Sequence, residues 1–287
     1  MNVLLDELRP TEATWSASPR QVSIALTNIC DLHCAYCYAP KHKASLHTEQ
    51  VLGWLKELDT AGCLSVGFGG GEPTLHPDFI DICTRAAQET RLAVTFTTHG
   101  HRLTPQLVGL LRGSVHFVRI SVDGVGRTYE EQRGKPYASL LRAMESIATL
   151  SPFGINVVVN ERTVSELDAV AKLAETVGAS ELLLLPQQQT SAVAGMDEAA
   201  NRSLQDWVSE YRGTVRLAVS EAGASGLPTC DPLPNERGLQ AYAHIDASGT
   251  LRASSYAKVG AKIEDTGVLS ALNRLRTTFD IRRETQP

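Results

Sequence analysis

Long apolar runs are missing from this sequence. No stretch of about 18 apolar residues occurs, so no membrane-spanning helix is expected. The opening MNVLLDELRPTEATW has no basic start followed by an apolar stretch, so a secretory signal is not expected either. An excess of basic residues is absent too. The formal net charge is −5, which argues against a nucleic-acid partner gripped by broad electrostatics. Internal repeats and low-complexity tracts of any size are lacking. The six cysteines, at positions 30, 34, 37, 63, 83 and 230, do not form a disulfide framework: three are crowded and three are scattered. A reducing cytoplasm and a metal site fit that distribution better.

What is present is an ordinary globular balance, 43% hydrophobic and 21% charged, in a chain of 287 residues. That length allows one large α/β domain or a barrel with a small appendage. Short apolar runs at Val22–Thr27, Leu64–Gly69, Leu92–Thr98, Val115–Val122, Ile155–Asn160 and Glu181–Pro186 read as strands. Helical patterns lie between them, over Thr48–Ala61, Asp78–Thr90, Pro105–Leu111, Ala138–Leu150 and Ser165–Val177. Six strands alternating with helices imply a parallel sheet with right-handed crossovers. The strands read as nearly continuous in apolar character, as when both faces are covered. Spacing alone leaves an open sheet and a barrel both open, but either gathers ligands at the carboxyl ends of its strands. Beyond residue 187 the pattern changes. A polar linker precedes a helix near Asn201–Tyr211, a strand at Val215–Val219, a Gly/Ala/Ser/Pro-rich loop at Glu221–Pro234, and a β-hairpin turning at Ala247-Ser248-Gly249.

Cys30, Cys34 and Cys37 fall within eight residues, just after the first strand. Three thiolates on one loop suit zinc or an iron–sulfur cluster. A zinc site stays open on spacing alone, with His33 or a distant residue as fourth ligand, and with it a non-catalytic adaptor on an α/β scaffold. A cubane held by three cysteines leaves one iron for a ligand that is not protein, and such incompleteness points to chemistry. Between a second metal site and ordinary polar or half-buried histidines, His99, His101 and His116 read as the latter, because nothing else offers ligand spacing.

The spacing CxxxCxxC, with Tyr36 before the last cysteine, resembles the signature of the radical S-adenosylmethionine superfamily. Gly70-Gly71-Glu72-Pro73 resembles that family's second motif. Val118-Arg119-Ile120-Ser121-Val122-Asp123-Gly124 resembles the fourth-strand segment of its large branch that includes peptide maturases and the molybdenum-cofactor enzyme. The resemblance covers roughly residues 20–190 and implies a partial (β/α)6 barrel over 21–190. Residues 1–20 are then a lead-in, and 191–287 a small extension of the SPASM or twitch type.

The resemblance also implies the site. Cys30, Cys34 and Cys37 match the ligands of one [4Fe–4S] cluster. S-adenosylmethionine chelates its open iron, and reductive cleavage yields a 5′-deoxyadenosyl radical that takes a hydrogen atom from the substrate. Tyr36 matches the aromatic residue beside the adenine. Gly70, Gly71 and Glu72 match the motif that meets the methionyl amino group. Glycines permit close backbone approach, and a carboxylate or carbonyl accepts from an ammonium. Ser121 and Arg133 are candidates for the methionyl carboxylate. Thr98, at the end of the third strand, Asn160, placed to reach a ribose, and Pro186, near the adenine, complete the expected cofactor contacts. His99 departs from the asparagine common in relatives.

The extension keeps the hairpin at Tyr242–Leu251, but Arg252-Ala253-Ser254-Ser255 stands where relatives place a cysteine. One remaining thiolate, Cys230, cannot hold a cubane, so the auxiliary cluster is expected to be lost. Cys230 then becomes a buried relic, a donor of hydrogen to a substrate radical, or a residue that bonds or orders the substrate. The expected partners are a peptide or small-molecule substrate and an external one-electron reductant such as flavodoxin or ferredoxin.

Overall fold

The strands of the βα series carry two unlike faces, and this decides where a ligand can go. In the computed structural model, which describes residues 17–190, 193–220 and 238–284, the strands are β1 (Gln21–Thr27), β2 (Ser65–Gly70), β3 (Ala93–Thr98), β4 (Phe117–Ser121), β5 (Phe153–Val159) and β6 (Glu181–Pro186). Along them Val22, Ile24, Leu26, Val66, Phe68, Val94, Phe96, Val118, Ile120, Ile155, Val157, Leu182 and Leu184 are almost fully buried. The alternate positions hold Ser23, Gly67, Thr95, Arg119, Asn156 and Leu183. Side chains on a strand alternate between faces, so the first set meets the helices and the second lines the inner surface. One face packs on helices, and the other also carries small and polar residues while β5 is buried along nearly its whole length.

The helices that cover the apolar face are α1 (Thr48–Thr60), α2 (Phe79–Glu89), α3 (Pro105–Leu111), α4 (Gly126–Arg133), α5 (Tyr137–Ala148) and α6 (Leu167–Thr176). Val51, Leu52, Trp54, Leu55 and Leu58 of α1 form one buried stripe at helical spacing. Pro105 opens α3, and Thr104 accepts from Leu107 N–H at 3.2 Å as its N-cap. Gly134, at φ 66°, closes α4 in the left-handed conformation.

Neighbouring strands from β1 to β6 pair in parallel, in sequence order. The sheet continues past the expected six strands at both edges. β7 (Arg216–Val219), reached through α7 (Glu198–Glu210), pairs in parallel with β6. β8 (Tyr242–Ile245) pairs in parallel with β1, and β9 (Thr250–Arg252) and β10 (Gly260–Lys262) follow antiparallel. The hairpin of the extension thus adds to the same ten-stranded sheet. A closing helix, α8 (Gly267–Glu284), packs on α1. Glu57 of α1 accepts from Val268 N–H at 2.7 Å and Leu269 N–H at 3.0 Å, satisfying first-turn donors of α8. No helix among the described residues is long and apolar enough to cross a membrane.

Candidate active site

The three clustered cysteines ride on a loop whose root is closed by backbone bonds. Asn28 N–H reaches Ala44 O at 2.9 Å, and Leu46 N–H reaches Leu26 O at 2.9 Å. Ser45 Oγ donates to Thr27 Oγ1 at 2.7 Å. The loop therefore leaves the end of β1 and returns beside it, carrying Cys30, Cys34 and Cys37, all half-buried and free. Cys37 N–H bonds to Cys34 O at 3.2 Å. Burial pushes the Cys30 thiol up, and the nearby charges of Glu72, Asp31 and Cys34 push the same way.

The turn after β2 is locked to that loop. Gly71 N–H donates to Thr27 O at 2.7 Å, and Glu72 N–H to Ile29 O at 2.8 Å. A Cβ on Gly70, where φ is +119°, would stand 2.2 Å from Thr27 O, and one on Gly71 2.3 Å from Ile29 O. The close approach these glycines allow is to the root of the cysteine loop.

Glu72 is buried and satisfied by protein donors. Its Oε1 accepts from Thr74 Oγ1 at 2.6 Å and Thr98 Oγ1 at 2.8 Å, and its Oε2 from His99 N–H at 3.0 Å. Thr98 is itself buried, and its hydroxyl is turned to Glu72. His99, which read as an ordinary histidine and as a departure from relatives, sits between two acids. Its Nε2 is 2.8 Å from Asp31 Oδ1 and 3.3 Å from Glu72 Oε2. Nδ1 accepts from His101 N–H at 3.1 Å, so in the neutral ring the proton is on Nε2 and faces the carboxylates. The ligating atoms of Cys30, Asp31 and His99 lie within 4.8 Å of one another. His101 bonds to Tyr129 Oη at 2.8 Å, and His116 Nδ1 accepts from Val94 N–H at 3.0 Å, so both serve the fold.

A second group of contacts gathers on Asp123, a residue the sequence reading quoted within its motif and gave no role. Asp123 is 1% exposed. Its Oδ1 accepts from Val158 N–H at 2.7 Å, and its Oδ2 accepts from Tyr36 Oη and pairs with Arg133. Arg133 lies over the Tyr36 ring, 5.7 Å from its centroid, and its Nη1 is 3.8 Å from Cys34 Sγ. Burial and the Asp123 carboxylate push the Tyr36 phenol far up, so its proton stays on oxygen.

The remaining expected residues divide. Ser121 ends β4 opposite Asn156 on β5, and both face the inner surface. Asn160 is tied into its own turn. Its Oδ1 accepts from Arg162 N–H at 3.0 Å, and its Nδ2 donates to Gln187 Oε1 at 3.0 Å. Pro186 ends β6, and its carbonyl accepts from Gln188 Nε2 at 3.0 Å. Cys230 lies outside the described residues.

These groups fit a cubane with a polar chelating ligand. The loop offers three thiols and no more. Cys63 and Cys83 lie in the hydrophobic core, their thiols raised by burial, Cys63 to about 11. Among the described residues, Nε of Arg133 and Oδ1 of Asn156 are buried polar atoms without a hydrogen-bond partner. An orphaned buried donor and acceptor are costly unless something fills them. A carboxylate suits the first and an ammonium or hydroxyl the second. Beside the loop, residues including Asp31, His33, Arg133, Lys135 and Arg162 line a cleft of about 320 Å³.

The sequence profile of the Radical SAM superfamily matches residues 24–174. The mycofactocin maturase MftC of Mycobacterium tuberculosis is 33% identical over 163 residues, covering 54% of this chain and 41% of that protein. The PqqA peptide cyclase of Methylorubrum populi is 28% identical over 181 residues, covering 60% and 47%. The chain thus spans less than half the length of these relatives. Among solved structures, Streptococcus suis SuiB bound to its precursor peptide SuiA superposes with a TM-score of 0.73 at 15% identity, over 88% of this chain and 64% of SuiB, and so shares the fold.

Proposed function

The chain belongs to the radical SAM superfamily, and from that premise we propose that it is an enzyme that holds one [4Fe–4S] cluster and S-adenosylmethionine and modifies a peptide. When bound, the two together supply abstraction of a hydrogen atom from an unactivated C–H bond.

The chain's own residues hold and orient them. Cys30, Cys34 and Cys37 ligate as thiolates, and the Arg133 guanidinium stands 3.8 Å from Cys34 Sγ. Nε–H of Arg133 and the hydroxyl of Ser121 donate to the methionyl carboxylate. Asn156 Oδ1 accepts from a cofactor hydroxyl or ammonium. Glu72 is a buried negative charge beside the Gly70–Gly71 turn, where it attracts the methionyl ammonium. Thr98 acts through Glu72 by holding its carboxylate. Tyr36, fixed by Asp123 and Arg133, offers its ring to the adenine, with Asn160 and Pro186 bordering the ribose and base. Cys230 is our candidate for returning a hydrogen atom to the substrate.

One observation carries this reading: three thiols share one closed loop, and Arg133, which reaches Cys34 Sγ at 3.8 Å, keeps a buried Nε with no hydrogen-bond partner. A peptide substrate is supported by the name of the PqqA peptide cyclase and by the peptide bound to SuiB. An external one-electron reductant, a flavodoxin or a ferredoxin, supplies the electron. The test is anaerobic reconstitution with iron and sulfide analysis. A brown chain with about four irons that forms 5′-deoxyadenosine with dithionite is expected. A colourless chain with one zinc would overturn the proposal.

A further inference from the structure

The cysteine loop carries charge of one sign over much of its length. Elsewhere, several cations are matched with acids: Lys56 with Glu89, Arg85 with Glu49 and Glu89, Arg91 with Asp59, Arg127 with Glu131, Lys172 with Glu175. From Leu32 to Thr48 the sequence contains no acid at all, although the whole chain carries −5. That segment follows Asp31, whose carboxylate is engaged by His99. It contains Lys41 and Lys43, both exposed and neither paired with an acid among the described residues. Two large apolar side chains of the same loop stand exposed, Ile29 at 44% and Tyr38 at 42%, the latter beside Tyr256. Ile29 adjoins Cys30 and Tyr38 adjoins Cys37 in the chain. His42 ties the lysines to the loop root, its backbone carbonyl accepting from Asn28 Nδ2 at 3.3 Å.

Apolar anchors with unpaired cations beside them have the composition of a small, transient docking surface. Its position matters as much as its composition, because these residues border the ligands of the redox centre on the solvent side. An electron carrier needs a short encounter close to that centre and not tight burial. We propose that Ile29, Tyr38, Lys41 and Lys43 form the docking surface for an acidic one-electron carrier protein, which delivers its electron to the cluster held by Cys30, Cys34 and Cys37. The inference rests on the radical SAM reading above. In the step, one electron leaves the carrier, which is oxidised by one electron, and the cluster is reduced by one; no atom is transferred. Charge on both sides steers the encounter, so the two lysines act chiefly on the association rate.

The experiment follows cluster reduction by stopped-flow absorbance in the reconstituted full chain, with flavodoxin hydroquinone as probe carrier and dithionite as control. In Lys41→Glu/Lys43→Glu, carrier-driven reduction slows at least tenfold at ~0.1 M ionic strength. The gap closes towards 0.5 M salt, while the dithionite rate and the iron content stay at wild-type values. Arg142→Glu/Lys172→Glu makes the same change in net charge on the exposed faces of α5 and α6, and it leaves the carrier rate within about twofold of wild type, since charges beyond a Debye length of ~10 Å are screened. The milder Lys41→Ala/Lys43→Ala falls between. Equal carrier rates in Lys41→Glu/Lys43→Glu and wild type, or equal slowing in the distant pair, overturn the docking surface alone. A wild-type chain that takes up no cluster overturns it together with the functional reading.

Discussion

Arg133 lies over the ring of Tyr36, and both end on the same carboxylate oxygen of Asp123. A buried charge removed from its partner is far costlier than the pair is favourable. Asp123→Ala strands the Arg133 guanidinium, whose side chain is 11% exposed, and should cost about 3–5 kcal/mol in denaturant unfolding. Asp123→Asn keeps the shape and an acceptor, so it should cost less. Equal stability of wild type and Asp123→Ala would show that the pair does not hold this corner of the site.

The cysteines make a sharper division between fold and cofactor. They are half-buried on a loop, outside the apolar core. Cys34→Ala should therefore leave the far-UV circular dichroism and melting of the apoprotein unchanged. It should also abolish 5′-deoxyadenosine formation and lower bound iron well below about four per chain. Full iron and wild-type 5′-deoxyadenosine from the variant would remove Cys34 from the ligand set.

Much of this arrangement is legible in the sequence because its signals are local. The strands of the βα series announce themselves by short apolar runs, and the cysteine loop by its spacing. Other features escape because their causes are distant. Helix α4, GRTYEEQR, has no apolar stripe and is fixed by Tyr129 going into the core and by Gly134 ending it. The parallel pairing of β8 with β1 joins residues more than 200 apart, which no window of sequence reveals. The site divides likewise. The glycines of the second motif are visible as glycines, but only the coordinates show that they pack on Thr27 and Ile29 carbonyls. Asp123 and His99 were in view as letters, and their roles depend on partners brought from other strands.

Three glycines of β2 and its turn should respond oppositely to the same change. Gly70 has a positive φ and a backbone carbonyl 2.2 Å from its would-be Cβ, whereas nothing lies within 4 Å of that position at Gly69. Gly70→Ala should destabilise by more than the ~1–3 kcal/mol of a strained backbone position and loosen the cysteine loop, seen as lower iron retention. Gly71→Ala should behave alike, with its Cβ 2.3 Å from Ile29 O. Gly69→Ala should be neutral, or more stable by about 0.4–1 kcal/mol because the unfolded chain loses freedom. A Gly70→Ala protein as stable as wild type would mean the turn does not need the left-handed conformation.

The acid side of the stability curve should be set in part by His244. This residue of β8 is buried, and its Nδ1 is 2.7 Å from Ser23 Oγ, which also bonds to Tyr242 Oη. Burial pushes its pKa down from 6.5 to about 4; Asp246 opposes the shift and Arg252 adds to it. Asp246 and Arg252 are themselves paired at 2.9 Å, which mutes both influences. Between pH 6.5 and pH 4 the unfolded chain therefore binds the proton and the folded chain does not. Stability rises with pH across that window, and acidification erodes it. At about 1.4 kcal/mol per unit, the loss on going from neutral pH to pH 4 approaches ~3 kcal/mol. His101, also held down at about 4, contributes a slope of the same sign. His244→Gln preserves a polar contact to Ser23 and cannot take up the proton, so its unfolding free energy should fall less steeply from pH 7 to pH 4, with the part due to His101 remaining. Parallel pH profiles for His244→Gln and wild type would show that the imidazole is not the group whose protonation sets this slope.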